Sequence, residues 1–161
     1  MTDYTTTLHE PTPRTRWQPV CDIRCALGES PFWHPHEQAL YWVDIAQCQV
    51  LRANVYMGTI QVWDLPTEPG CIAPAHGAGL VLALRNGIFR AAGWGSPLRR
   101  ITELPYDPTY VRANDGRCDA MGRLWVGTVD ETKTQDAAAL YCVDARLGSV
   151  TVSCHAPGAL T

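Results

Sequence analysis

The sequence predicts an all-β protein assembled from propeller blades, and three observations lead there. Thirteen Gly and twelve Pro punctuate the 161 residues at short intervals, with strand-length runs rich in Val, Ile, Leu, Tyr and Trp between them. No stretch sustains apolar spacing at i, i+3, i+4 and i+7 for three turns, so long amphipathic helices are not expected. The strand-like runs also recur. Ala39-Leu40-Tyr41-Trp42-Val43-Asp44 is echoed by Gly122-Arg123-Leu124-Trp125-Val126-Gly127 and by Ala139-Leu140-Tyr141-Cys142-Val143-Asp144. A period of about 40 residues built from short strands is the mark of a four-stranded blade.

Taken in order, the first blade runs from about Val20 to Pro66 and the second from about Gly70 to Pro105. In the second, Gly79-Leu80-Val81-Leu82-Ala83-Leu84 takes the place of Ala39–Asp44. The outer positions repeat as well, since Val62-Trp63-Asp64-Leu65-Pro66 returns 39 residues later as Ile101-Thr102-Glu103-Leu104-Pro105. A third blade runs from about Tyr110 to the end. Closed propellers use roughly four to eight blades. About three blades therefore read as the N-terminal half of a longer domain, residues 20–161, with an open face through which copies could self-associate. Residues 1–19, polar and rich in Thr and Pro with no apolar core of a signal segment, read as a disordered lead-in.

Composition narrows the function classes. The formal charge is −3 and the only adjacent basic pair is Arg99-Arg100, so no nucleic-acid footprint is expected. The longest uninterrupted small-and-apolar run, Gly77 to Leu84, is far shorter than the roughly 20 residues of a spanning helix, and no membrane association is expected. Seven scattered cysteines, an odd number without a C-x-x-C pair, suit reduced thiols in a cytoplasmic protein better than a disulfide framework.

Two segments carry candidate chemistry. In Leu27-Gly28-Glu29-Ser30-Pro31-Phe32-Trp33-His34-Pro35, a carboxylate stands in a tight loop ahead of a strand, where Glu29 can offer a hard oxygen to a divalent ion or remain solvated. In Val111-Arg112-Ala113-Asn114-Asp115-Gly116, the Asn-Asp-Gly triplet signals a hairpin turn. Arg112, two residues before Asn114, shares its face if the segment is extended. A guanidinium fork beside an amide suits a polyhydroxylated or carboxylated small molecule. An EF-hand is excluded, because Arg117 and Ala120 fall where that loop needs an acid and a Gly. His34 and His36 flank Pro35 in a turn, and His76 in Ala75-His76-Gly77-Ala78-Gly79 is a candidate channel-lining residue. A nucleophile elbow, a Walker loop and a dinucleotide fingerprint are all missing from the sequence.

Leu27-Gly28-Glu29-Ser30-Pro31-x-Trp33, Ala39-Leu40-Tyr41-Trp42-Val43-Asp44-Ile45 and Arg112-x-Asn114-Asp115-Gly116-x-x-Asp119-x-x-Gly122-Arg123-Leu124-Trp125-x-Gly127-Thr128 together resemble the gluconolactonase/regucalcin (senescence marker protein) family. The match covers roughly Val20 to Cys154. It implies a six-bladed β-propeller holding one divalent metal ion, Ca²⁺ or Zn²⁺ (with Mn²⁺ or Mg²⁺ also accommodated), and hydrolysis of sugar lactones. It places the first metal ligand on Glu29 and substrate contacts on Arg112 and Asn114. Asp130 and Glu131 follow Gly127-Thr128, where the family tends to carry an acidic contact, but neither is assigned. Ser30 stands where many members have Gly. The remaining metal ligands, an Asn and a general-base Asp, belong to the family's second half, so no catalytic residue is expected in this chain. On that expectation the chain alone is inactive. The alternative is a non-catalytic calcium-binding or interaction propeller fragment.

Overall fold

The computed structural model describes residues 19–133, 136–146 and 148–158. The expected lead-in, apart from Pro19, lies outside the described residues. Those described form twelve strands and no helix. The strands make three four-stranded antiparallel sheets, each a simple meander in chain order. The first sheet holds β1 (Gly28–His34), β2 (Ala39–Asp44), β3 (Gln49–Asn54) and β4 (Thr59–Asp64). The second holds β5 (Pro69–Pro74), β6 (Leu80–Leu84), β7 (Gly87–Ala91) and β8 (Arg99–Thr102). The third holds β9 (Val111–Cys118), β10 (Leu124–Asp130), β11 (Leu140–Asp144) and β12 (Thr151–His155). The three blade spans read from the sequence each contain one sheet.

In the first and third sheets, tight turns close the meander because short polar side chains take up the free backbone N–H groups. Asn54 Oδ1 accepts from Tyr56 and Met57 N at 3.1 and 3.0 Å, and Asp44 Oδ1 accepts from Gln47 N at 3.2 Å. Asp119 does most. Its Oδ1 accepts from Met121 and Arg123 N, while Oδ2 accepts from Arg123 Nε at 2.7 Å and Trp125 Nε1 at 3.0 Å. The indole donor, with these other bonds, holds the Asp119 carboxyl well below the usual carboxylate range. Asp119-x-x-Gly122-Arg123 is therefore the turn that joins β9 to β10, with Trp125 of β10 held to it.

The apolar runs are explained by where the sheets pack. Tyr41, Val43, Val50 and Leu65 of the first unit meet Ile72, Leu80, Leu82, Leu84 and Phe89 of the second. Cys71, Ala73, Ala83, Ile88 and Leu104 turn to the other side and meet Ala113, Leu124, Val126, Tyr141 and Val143 of the third. The second sheet is thus covered on both faces, and a strand buried on both faces loses the polar half of its alternation. Leu80–Leu84 reads as a continuous apolar run for that reason.

Leu65 and Leu104, the paired leucines of the 39-residue echo, each follow the fourth strand of a sheet and seal one of these two clusters. The other echo is only partly positional. Ala39–Asp44, Leu80–Leu84 and Leu124–Asp130 are second strands, whereas Leu140–Asp144 is a third strand.

Candidate functional site

The first strands of the three sheets lie against one another, β1 and β9 on either side of β5. Each begins where its sheet's second strand ends, with Gly28 opposite Asp44, Pro69 opposite Leu84 and Val111 opposite Asp130. Each is also bulged close to that start. On β1 the pairing shifts between Glu29 and Phe32, on β5 between Pro69 and Cys71, and on β9 Asn114 is the extra residue between Ala113 and Asp115. A bulge re-aims side chains and ends regular pairing, which is why bulges gather beside functional sites.

Both segments expected to be loop or turn are therefore strand. Glu29 and Ser30 lie within β1, and Asn114-Asp115-Gly116 lies within β9. The turn signal of Asn-Asp-Gly is overridden by packing. A Cβ on Gly116 would stand 2.4 Å from Trp125 O and 2.7 Å from Cys71 Sγ, so Gly is needed there for close approach rather than for a turn.

At the start of β1, Asp44 accepts from Ala26 N at 2.8 Å and from Leu27 N at 3.1 Å, anchoring the chain just before Glu29. Ser30 is buried with φ of 53°, and its Oγ accepts from Ile72 N of β5 at 3.3 Å. Glu29 itself is exposed. The strand is held on both sides of a carboxylate that is left facing solvent.

At the start of β9 the arrangement is denser. Arg112 donates from Nε to Glu131 Oε1 at 3.1 Å and from Nη1 to Ala113 O and Asn114 Oδ1, both at 3.0 Å. Its side chain is only 13% exposed. Because a guanidinium can only donate, the Asn114 oxygen must face it and the amide NH₂ is turned outward. Glu131 spends its other oxygen on Arg85 Nη2 at 2.7 Å, and Arg85 Nε reaches Glu68 Oε2 at 2.9 Å. The result is a charge-alternating chain, Glu68–Arg85–Glu131–Arg112, running from the second sheet to the third. The Arg85 guanidinium beside Glu68 pulls its carboxyl down to about 2, against the smaller upward push of burial.

Sequence reasoning brought Arg112 and Asn114 together correctly and left Glu131 unassigned; it missed Arg85 and Glu68. No signal in the chain order links residues 68, 85 and 131, since only the packing of two sheets brings them together. Asp130 is buried, and its Oδ1 accepts from the backbone N and Oγ1 of Thr132. The histidines lie elsewhere. His34 caps the β1–β2 turn by accepting from Glu37 N at 3.2 Å, with His36 in the same turn. His76 is exposed in the turn between β5 and β6, at the far end of the sheet from Glu68.

Among the described residues no group of three or more His, Cys, Asp or Glu side chains stands ready for a metal ion. A calcium ion takes about six to eight oxygens. Glu29 supplies one carboxylate of such a set, so the residues described do not by themselves fit a bound metal.

Residues 27–156 match the SMP-30/gluconolactonase/LRE-like region. The chain belongs to this family. Among its curated relatives, the 6-deoxy-6-sulfogluconolactonase of Pseudomonas putida is 37% identical over 127 residues, covering 78% of this chain and 44% of that protein. The L-arabinolactonase of Azospirillum brasilense is 33% identical over 123 residues, covering 70% and 37%. The crystal structure of a calcium-binding protein, regucalcin, from Agrobacterium tumefaciens superposes with a TM-score of 0.75 at 26% identity, covering 83% of this chain and 44% of that one. This family member thus spans less than half the length of the curated relatives it matches. The match takes in all twelve strands and both candidate segments.

Proposed function

We propose that the chain contributes the substrate-binding part of a sugar-lactone hydrolase, residues 20–161 forming three blades of a six-bladed propeller. The observation that carries this reading is the donor pair at the β9 bulge. Arg112 is locked by Glu131, Ala113 and Asn114, and Asn114 is oriented by Arg112. Among the described residues Arg112 Nη2 makes no hydrogen bond, so Nη2 and the Asn114 amide form two adjacent N–H donors. Such a pair suits the hydroxyl and ring oxygens of a sugar lactone, and it fixes the substrate's orientation before water attacks. The lactonases among the relatives support the same substrate class.

In this reading Glu29 is one ligand of a divalent ion, Ca²⁺ or Zn²⁺, whose other ligands and the proton-accepting Asp come from outside residues 20–161. Calcium binding by the regucalcin neighbour supports the first choice. The odd, scattered cysteines support a cytoplasmic location.

The test is a chimera in which residues 27–156 replace the matching segment of the Pseudomonas putida 6-deoxy-6-sulfogluconolactonase. Acid release from a panel of aldonolactones is followed with a pH indicator. Turnover that falls on Arg112→Lys and on Asn114→Ala is expected. A folded chimera that hydrolyses no lactone, or whose turnover ignores both substitutions, counts against the reading.

A further inference from the structure

We propose that Arg85, on the second sheet, is a positioning residue for the Arg112–Asn114 pair on the third, acting through Glu131; the inference rests on the reading above. Arg85 sits between β6 and β7, and its backbone is tied at both ends. Its N–H donates to Glu68 O at 2.9 Å, and its carbonyl accepts from Tyr106 Oη at 2.8 Å. Each nitrogen of the guanidinium is used. Nε holds Glu68, Nη1 donates to Pro108 O at 2.9 Å, and Nη2 holds Glu131.

Glu131 is the weak link without this. Its side chain is 39% exposed and has three rotatable bonds, so by itself it would sample many directions. Its backbone is fixed, because Glu131 N donates to Tyr110 O at 2.9 Å beside β9. Arg85 then selects the one carboxylate direction in which Oε1 meets Arg112 Nε. Arg112 passes that orientation to Asn114 through Nη1. Partly exposed ion pairs of this kind contribute little to stability. The consequence of the chain is geometric, and it couples the junction of two sheets to the direction of the donors. A lysine cannot replace Arg85, since one ammonium cannot span Glu68 and Glu131 in a planar fork.

Two measurements decide it. The first uses the 161-residue chain and follows exchange of the Arg112 side-chain Hε with water by NMR. Arg85→Lys is expected to speed that exchange by about fivefold or more, because the bond to Glu131 opens more often. Arg85→Met, similar in length and without charge, is expected to do the same and serves if the lysine variant does not fold. Glu68→Gln, which spares the Arg85–Glu131 bond, is expected to leave the exchange unchanged. Unaltered Arg112 exchange in a folded Arg85 variant would overturn the proposal.

The second uses the chimera. Arg85→Lys is expected to raise KM by about fivefold with kcat within about twofold, and to add nothing in an Arg112→Lys background. Unchanged KM, or strict additivity with Arg112→Lys, would equally overturn it. A chimera inactive before any Arg85 substitution counts against the lactonase reading instead, and the exchange measurement still decides the role of Arg85.

Discussion

The three first strands differ in what their bulges carry. β1 places Ser30 at its bulge, buried and bonded across to Ile72, with Glu29 beside it in solvent. β9 places Asn114 there, bonded to Arg112 and exposed. β5, between them, shifts register around Gly70. A Cβ on Gly70 would stand 2.5 Å from the Ala113 carbonyl carbon and 2.6 Å from its oxygen. The outer two bulges present polar side chains, whereas the middle one removes a side chain so that β9 can approach. One backbone device serves display at β9, packing at β5, and at β1 a buried cross-strand bond beside a solvated carboxylate. The difference follows from the neighbours, because the middle strand has a sheet on each side.

Substitutions should separate those two uses. Gly70→Val is expected to have the largest effect. The new side chain meets backbone that cannot swing aside, and overpacking of this kind costs about 3 kcal/mol. Urea unfolding should show it, and a loss below about 0.5 kcal/mol would mean that β5 and β9 separate freely. At the display bulge the outcome is reversed. In the chimera, Arg112→Lys and Asn114→Ala should each lower kcat/KM by about tenfold or more, equivalent to about 1.4 kcal/mol of transition-state binding. Their unfolding midpoints should stay close to that of the unsubstituted protein. Wild-type kinetics in both variants would return β9 to a purely structural strand.

Ser30 mixes the two roles, and a pair of variants sharpens which dominates. Ser30→Ala keeps the unfavourable φ of 53° and leaves the buried Ile72 N–H without its partner, at a cost of about 1–2 kcal/mol. Ser30→Gly loses the same bond but is free to adopt that backbone, which offsets roughly 1 kcal/mol. Ala should therefore destabilise more than Gly, and the opposite order would mean that the left-handed backbone carries no strain.

Glu68 gives a pH-dependent contrast. Its carboxyl is lowered from 4.5 to about 2 by Arg85, so its contribution to stability is present above the unfolded value and is lost as pH falls toward the folded one. The side chain is 29% exposed and solvent screens the pair, so the effect should be modest. Thermal midpoints of the chain should drop between about pH 4.5 and pH 2 by less in Glu68→Gln than in the unsubstituted protein. Equal drops would show that the pair is open in solution. The smallest effect is expected at Glu29. One carboxylate does not retain calcium, so calorimetry on the 161-residue chain should find no tight site and no change on Glu29→Gln. Submicromolar binding lost in that variant would show a fuller donor set than the described residues provide.

Strand content, the three spans and the equivalence of Leu65 with Leu104 were legible in the sequence. Short runs between Gly and Pro leave few alternatives to a meander, and repeated local patterns repeat local structure. The pairing of Arg112 with Asn114 was legible too, because i and i+2 share a side of extended chain. Asn114-Asp115-Gly116 reads as a turn in the sequence and is strand in the structure. Those residues do favour turns, but the space beside Cys71 and the pairing with β10 decided for strand, and neither is encoded within three residues. The chain Glu68–Arg85–Glu131–Arg112 was beyond sequence reasoning for the same reason. Its members are up to 46 residues apart at a single contact, and each is an ordinary surface charge in its own segment. Local sequence determined which strands form and which side chains lie on each. Only the stacking of one sheet on the next decided which strand shed its side chain and which charges meet, because both depend on distances between segments remote in the chain.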